Sequence, residues 1–169
     1  MDSVNNNEYL KAGDIVLSWN SMNITTVLGS CVSVWMWDSR KLLGGACHYK
    51  IPQSNGRLYD LNFYGEHAID NLLSEMLKHG CSKRSLETHV YGGGVVIAHM
   101  DEFDIGGLNA RFAVQRLAEL GLRVVHMDTG GDFGRKLIFS GLDGTVRVER
   151  VRPLHEFAKP AIPKSRKLK

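Results

Sequence analysis

The sequence predicts an α+β fold, a layered sandwich in which two main helices pack on a mostly antiparallel sheet. Eight short runs have the composition and length of β-strands, whereas only two segments repeat apolar residues with helical period. Turn-rich stretches connect several consecutive strands, as in hairpins. We therefore expect many short strands covered by two helices.

Four predicted strands precede the first helix, at residues 14–19, 24–28, 31–37 and 42–49. The sequence DSRK at residues 38–41 separates the last two, which are therefore expected to form a hairpin. Four more strands follow that helix, at residues 87–91, 123–128, 136–139 and 145–151. The sequence SGLDG at residues 140–144 is typical of a second hairpin connection.

The helical segments are residues 63–79 and 108–120, and a glycine that can end a helix follows each of them. Asn109 or the glycines before it are candidates for the N-cap of the second helix. The apolar stripe of the first helix contains Ala68, Leu72, Leu73, Met76 and Leu77. The apolar face of the second contains Phe112, Ala113, Leu117 and Leu120.

Composition predicts one folded domain with flexible ends. The 169 residues are 43% hydrophobic and 23% charged, which is enough to bury a core. We expect a domain over residues 12–152, a flexible N-terminus over 1–11, and a flexible basic tail over 153–169. The tail region from residue 151 onward holds six Lys and Arg against one acid, so the net charge of +3 does not indicate nucleic-acid binding.

Several classes of protein are disfavoured by what the sequence lacks. No run approaches the roughly 18 apolar residues of a membrane span. The N-terminus has no secretory signal pattern, so we expect a cytoplasmic protein. Three cysteines, Cys31, Cys47 and Cys81, cannot all pair within one chain and form no CxxC motif. No metal site is expected, because the scattered histidines lack ligand spacing.

The most informative segment is TTVLGSC at residues 25–31, where one apolar strand turns through Gly29 and Ser30 into the next strand. Glycine at such a bend permits close backbone approach to a ligand. Backbone N–H groups exposed there can stabilise an oxyanion formed beside a cysteine thiolate. Cys31 is therefore a candidate nucleophile.

The hairpin gives a geometric prediction for the partner of Cys31. If its turn is centred between Ser39 and Arg40, paired residues have numbers that sum to 79, and Cys31 faces His48. Directly opposed side chains have Cβ atoms about 4.5–5.5 Å apart, close to thiol–imidazole contact. A bulge at the glycine pair 44–45 would break this register.

A histidine beside a cysteine can stabilise the thiolate and later protonate a leaving amine. A third group usually holds the imidazole ring, and here Thr25, Thr26 or a main-chain carbonyl can do so. The structural alternative is that Cys31 packs as a small hydrophobe and that His48 is an ordinary polar residue at a strand end.

These residues also carry a family resemblance. The strings TTVLGSCVSV at 25–34 and GGACH at 44–48 resemble the CheD family of bacterial chemoreceptor glutamine deamidases. The resemblance continues through YGGG at 91–94, IG and Asn within 105–109, and GGDFGRK at 130–136. In that family a Thr, a Cys six positions later and a His seventeen positions further are catalytic. The resemblance assigns these roles to Thr25, Cys31 and His48.

The resemblance implies a cysteine hydrolase of the protein-glutamine glutaminase class. Cys31 would attack the glutamine carboxamide, and a thioester would be hydrolysed with His48 as acid and base and Thr25 orienting its ring. No cofactor or metal is implied. The implied partners are chemoreceptor helices and a CheC-type phosphatase. Candidate substrate-binding residues are Gly29, Ser30, Gly92, Gly93 and Gly94.

Other interpretations remain open at this stage. The glycine run 92–94 matches no phosphate-binding motif and is also explained by a tight turn with close backbone approach. Cys47 is either a packing residue or a site of oxidation. Arg135 and Lys136 are expected to be ordinary solvated charges, with the alternative that residues 130–136 shape a substrate groove. Two other functions compete with the deamidase, a non-catalytic adaptor that binds receptors or the phosphatase, and a general thiol protease.

Overall fold

A computed structural model describes residues 6–19, 21–96 and 104–152. Within those residues it contains nine strands and two α-helices. The five strands that come first are β1 (Asn7–Tyr9), β2 (Ile15–Ser18), β3 (Asn23–Leu28), β4 (Val32–Asp38) and β5 (Leu43–Tyr49). A short 3₁₀ helix, Leu61–Phe63, leads into α1 (Gly65–Lys78). The remaining elements are β6 (Glu87–Gly92), α2 (Ile105–Glu119), β7 (Val124–Thr129), β8 (Gly134–Phe139) and β9 (Val146–Val151).

The strands form two sheets rather than one. The five-stranded sheet has the order β2-β5-β4-β6-β7, and the four-stranded sheet has the order β1-β3-β8-β9. All described strand pairs are antiparallel except β1 with β3 and β6 with β7. The predicted α+β class, with two helices and mostly antiparallel pairing, is confirmed, and the second sheet adds a third layer.

Strand β4 shows why a third layer exists, since all seven of its residues are buried. Val34 and Met36 belong to the core beneath α1 and α2. Trp35 and Trp37 point the other way and pack on Phe139 of β8, with ring centroids 5.4 and 5.8 Å apart. A strand buried on both faces has no polar face, so its alternation does not reveal that a second sheet covers it.

Two glycines on β5 make room for both cores. A Cβ on Gly44 would overlap the ring of Phe139, and one on Gly45 would lie 2.7 Å from Leu17. The β4–β5 pairing runs through this glycine pair without a register shift, so the possible bulge at residues 44–45 is absent. The glycines are needed for packing on either side of the sheet.

The expected flexible N-terminus is wrong for part of residues 1–11. Asn7–Tyr9 form β1, which pairs in parallel with β3, and Leu10 is fully buried between the sheets. A three-residue strand with exposed side chains carries too short a pattern to be predicted. The tail at 153–169 lies outside the described residues, as do residues 1–5.

The helices begin at positions that differ from the prediction. Phe63, the first residue of the predicted helix, ends the separate 3₁₀ segment, and extended Tyr64 is the N-cap of α1, which starts at Gly65. Helix α2 starts at Ile105, and its N-cap is Asp104, whose carboxylate accepts a 3.0 Å hydrogen bond from Gly107 N–H. Asn109 therefore lies inside the helix and is not its cap. No helix among the described residues is long and apolar enough to cross a membrane.

Candidate active site

The β4–β5 hairpin brings Cys31 and His48 to the same face in a register that differs from the predicted one. Asp38 pairs with Leu43, and Ser33 pairs with His48, so paired numbers sum to 81 rather than 79. The connecting turn is centred one residue later than expected, and Leu42 adopts a left-handed conformation with φ 49°. The prediction that Cys31 lies directly opposite His48 is therefore wrong.

Because the sum of the paired residue numbers changes by two, Cys31 and His48 still lie on the same face of the hairpin. Cys31 precedes β4 and packs against the core between the two sheets, and His48 follows Ala46 of that core on alternate positions of β5. The two residues are thus diagonal neighbours, a relation still within reach of long side chains. Ser33, opposite His48, turns its hydroxyl to the Cys47 carbonyl at 2.6 Å.

His48 is held by a short chain of hydrogen bonds. Its Nδ1 lies 3.1 Å from Thr26 Oγ1, and that hydroxyl donates to the Leu10 carbonyl at 2.7 Å. A hydroxyl has one proton, so Thr26 must accept from an Nδ1–H group of the neutral ring. This tautomer leaves a lone pair on Nε2, which is buried and has no hydrogen-bond partner in the described part of the chain. The ring is therefore arranged as a proton acceptor.

The structure brings Thr26 to this ring, and not Thr25. Strand β3 alternates, so Ile24, Thr26 and Leu28 are buried toward the five-stranded sheet. Thr25 lies between them on the outer face, where it pairs with Tyr9 of β1 and Ile138 of β8. The assignment of Thr25 to the ring rests on the family resemblance, whereas contact depends on which face of the strand a residue occupies.

Burial shifts the pKa values of Cys31 and His48 toward their uncharged forms. Burial raises the pKa of the Cys31 thiol, while the positive charge of Lys50 and the backbone N–H of Cys31 oppose that rise. Burial lowers the pKa of His48. Both shifts favour the uncharged forms, a thiol on Cys31 and an unprotonated imidazole on His48.

The bend at residues 29–31 is fixed through its three carbonyl groups. Gly94 N–H donates to Gly29 O at 2.9 Å, and Gly93 N–H donates to Cys31 O at 2.8 Å. The side-chain amide of Asn109 donates to Ser30 O at 3.0 Å. The N–H groups of Ser30 and Cys31 donate to no backbone carbonyl of a described residue. The Cys31 N–H interacts with the thiol of its own side chain, so the backbone of the bend contacts the sulfur directly.

The glycine run at 92–94 lies behind this bend and is buried. Gly92 and Gly93 have φ of 111° and 65°, and a Cβ on Gly92 would overlap the Cys31 carbonyl oxygen. A Cβ on Gly93 would lie 2.5 Å from the Gly106 carbonyl of α2. These contacts agree with the interpretation that the glycine run allows close backbone approach. The run supports the backbone that carries Cys31.

Sequence reasoning missed two residues at the site, Lys50 and Asn109. Lys50 is exposed, and its Nζ lies 4.2 Å from the centre of the Phe63 ring. It follows His48 by two positions, which strand alternation could have signalled. The sequence indicates Asn109 only as a possible cap, whereas its contacts join segments 59 and 79 residues away. No local pattern reveals such a contact.

The expectation that Arg135 is a solvated charge is wrong. Its side chain is 1% exposed and pairs with Asp128 Oδ1 at 3.0 Å through Nε and 2.8 Å through Nη2. Its guanidinium also stacks 4.5 Å from the centre of the Phe133 ring. The expectation for Lys136 fits better, since its side chain is 42% exposed and lies 3.9 Å from Glu149. A buried charge with its partner seven residues away carries no simple sequence signal.

The other cysteines differ from Cys31 in their surroundings. Cys47 and Cys81 are buried, and burial raises their pKa to about 12 and about 11 respectively. Cys47 packs in the core beneath the helices, which supports its interpretation as a packing residue. Among the described residues, no three His, Cys, Asp or Glu side chains cluster in a way that could hold a metal ion.

Comparison with known proteins gives a consistent set of matches. The family model described as CheD chemotactic sensory transduction matches residues 50–150. A curated relative from Rhizobium meliloti, named probable chemoreceptor glutamine deamidase CheD, is 38% identical over 162 residues, which cover 89% of this chain and 82% of the relative.

Relatives with the same name come from other organisms. The protein of Bordetella petrii is 35% identical over 159 residues, covering 93% of this chain and 69% of the relative. The protein of Methanococcus maripaludis is 34% identical over 141 residues, covering 82% of this chain and 92% of the relative. The chain spans 61% of one further relative, from Albidiferax ferrireducens.

Proposed function

The chain belongs to the CheD family, and we propose that it hydrolyses glutamine side chains of chemoreceptors to glutamate and ammonia. The observation that carries this proposal is the 3.1 Å contact of His48 Nδ1 with Thr26 Oγ1, together with a buried Nε2 that has no hydrogen-bond partner among the described residues. A buried proton acceptor on the same face as a partly exposed thiol is suited to nucleophilic catalysis. The names of the relatives identify the substrate class.

In the first step Nε2 of His48 takes the proton of the Cys31 thiol as its sulfur attacks the carboxamide carbon. A C–S bond forms, and the carbonyl π electrons move onto the oxygen. We infer that the N–H groups of Ser30 and Cys31 donate to this oxyanion, on a bend that the hydrogen bonds to its carbonyls hold in place. Thr26 accepts from Nδ1–H throughout and favours the imidazolium that forms.

In the second step the imidazolium donates its proton to the amide nitrogen, the C–N bond breaks, and ammonia leaves a thioester on Cys31. His48, neutral again, then takes a proton from water as its oxygen attacks the thioester carbon. The C–S bond breaks, the Cys31 thiolate recovers its proton from His48, and glutamate is released. The positive charge of Lys50 favours the Cys31 thiolate both when the sulfur attacks the carboxamide and when it leaves the thioester.

We propose that the substrate glutamines lie on the cytoplasmic helices of the receptor. Each deamidation adds one negative charge to a helix, and like charges at neighbouring helix positions repel by a few tenths of a kcal/mol. Several such changes can shift a receptor whose two signalling states are closely balanced. Family resemblance also supports a CheC-type phosphatase as a second partner.

The test is deamidation of a recombinant receptor cytoplasmic fragment, followed by ammonia release and by mass spectrometry of the roughly 1 Da gain at each glutamine. We expect the wild type to convert particular glutamines and Cys31→Ala to convert none. Cys81→Ala is the matched control, since Cys81 lies outside the site, and it should retain activity. Receptor binding by the wild type without any conversion would instead identify a non-catalytic adaptor and overturn the proposal.

A further inference from the structure

Asn109 is the residue of α2 that reaches both halves of the site. Its Nδ2 donates to Ser30 O at 3.0 Å and to Lys50 O at 2.8 Å. Ser30 directly precedes the nucleophile, and Lys50 lies two residues beyond His48 on the same chain segment. One side-chain amide therefore joins the nucleophile bend to the end of the strand that carries the base.

The orientation of this amide has only one reasonable choice. A flip would place Oδ1 against two carbonyl oxygens, which is repulsive, so both N–H groups must face them. Asn109 is fully buried, and in this orientation Oδ1 has no hydrogen-bond partner in the described part of the chain. A buried acceptor without a partner is costly. Asn109 therefore contributes to the site through its two N–H donors, although its Oδ1 has no partner among the described residues.

Helix α2 is a firm base for that amide. The backbone carbonyl of Asn109 accepts a 2.6 Å hydrogen bond from the Tyr49 hydroxyl. One turn earlier, Gly106 packs backbone to backbone on Gly93, and Gly93 N–H holds the Cys31 carbonyl. The start of α2 therefore contacts the bend both through Asn109 and through Gly93.

We propose that Asn109 is a positioning residue, which sets the separation and alignment of Cys31 and His48 by holding Ser30 and Lys50 on one amide. This inference rests on the proposed deamidase function for its kinetic consequence. The positioning of Cys31 by Asn109 can also be tested without the receptor, because the reactivity of the Cys31 thiol depends on the nearness of His48.

The experiment compares Asn109→Ala with the wild type by two readouts. With the receptor fragment, we expect kcat to fall by about 100-fold while KM changes less than about threefold, since misplacement of about 1 Å is that costly. With iodoacetamide, followed by mass spectrometry of the Cys31 peptide, we expect modification near neutral pH to slow by about tenfold. The two rates should converge at high pH, where the thiol ionises without help from His48.

Tyr49→Phe is the matched control, because it removes a buried hydrogen bond to the same residue of α2 without touching the bend. Thermal unfolding identifies variants that have lost the fold. Should Asn109→Ala be unfolded, Asn109→Ser, which retains one donor, replaces it in both assays with smaller losses expected. Wild-type values in the Asn109 variant, or equal losses in Tyr49→Phe, would overturn the proposal. Absence of deamidation by the wild type would count against the deamidase alone, since the iodoacetamide profile still decides the role of Asn109.

Discussion

At the scale of single residues, the two adjacent threonines of β3 present almost the same chemistry to opposite sides of one strand. Thr26 faces His48 at 3.1 Å, and Thr25 faces away. Only Thr26 can accept from Nδ1–H and so fix which ring nitrogen is the base. The residue type alone does not show which threonine contacts His48, because successive residues of a strand lie on opposite faces.

We expect Thr26→Val to lower kcat by about 10- to 100-fold, a part of the 100- to 10,000-fold that general base catalysis typically contributes. Thr25→Val should leave kcat within about twofold, since its side chain lies on the outer face of β3. Thr26→Ser retains the hydroxyl and should recover most of the activity. The measurement is deamidation of the receptor fragment by all three variants, and a larger loss in Thr25→Val would return the role to Thr25.

The state of His48 also sets the expected pH dependence. Burial lowers its pKa from the ordinary 6.5, so the ring stays neutral and able to accept a proton as the pH falls past that value. Activity should then decline only as the pH drops through the depressed pKa, where Nε2 becomes protonated. A profile of kcat/KM against pH measures this limb, and a midpoint above 6.5 would contradict a buried neutral base.

Much of the site can be foreseen at this scale, and the reason is local. Cys31 follows a glycine bend, and His48 ends the partner strand of a short hairpin, so the two fall on one face even though the turn is centred one residue later than predicted. Thr26 and Asn109 depend on the four-stranded sheet and on α2, and their positions follow only from tertiary packing.

At the scale of secondary-structure elements, the site depends on how closely β6 approaches the bend. The end of β6 supplies Gly92, whose missing Cβ leaves room for the Cys31 carbonyl, and the next glycine donates to that same carbonyl. A side chain here would push the nucleophile away from its support. The glycine run therefore packs against the backbone of the bend and supports Cys31.

Gly92→Ala should therefore destabilise the fold more than the conformational cost of a left-handed residue, which is about 1–2 kcal/mol. Gly56→Ala is the matched control, since Gly56 has φ of 84° and a Cβ added there would meet nothing within 4 Å beyond its chain neighbours. Both variants carry the cost of a left-handed alanine, and only Gly92→Ala adds the clash. Urea unfolding measures the difference in the free energy of unfolding, and equal losses would show that β6 can yield without cost.

Element positions are mostly accessible from the sequence, with instructive exceptions. Long periodic segments such as α1 and alternating strands such as β3 lie close to their predicted limits. The start of α2 escapes prediction because its first turn contains two glycines, which are poor helix formers, and its cap is Asp104. The strand β1 escapes prediction because it is three residues long and is stabilised by pairing with β3.

At the scale of the whole molecule, the buried Arg135 joins the two sheets. It lies on β8 of the four-stranded sheet, and its partner Asp128 lies on β7 of the five-stranded sheet. A guanidinium that is 1% exposed is stable there only with its hydrogen-bonding partner in place. The sequence predicts the layers that the helices cover, but not the contact between the sheets, because nothing local specifies which distant strand faces another.

We expect Asp128→Asn to lower the free energy of unfolding by about 1–3 kcal/mol, since Arg135 would remain buried without its counter-charge. The expected loss stays below that of a fully buried ion pair, because Asp128 is 36% exposed and solvent screens its charge. Glu149→Gln is the control, because the pairs of Glu149 with Lys136 at 3.9 Å and with Arg147 at 3.1 Å are exposed and lie within one sheet, where such pairs contribute about 0–1 kcal/mol each. Equal denaturation midpoints for the two variants would show that the ion pair does not hold the sheets together.

The reach of Asn109 back along the chain also bears on how the protein matures. Its bonds span 79 residues to Ser30 and 59 to Lys50, so the nucleophile and the base are synthesised well before the helix that holds them. Contacts between such distant segments close late in folding, after local hairpins have formed. A nascent chain ending before α2 would carry a complete β4–β5 hairpin with an unassembled site. On refolding, regain of enzymatic activity should therefore lag behind regain of secondary structure.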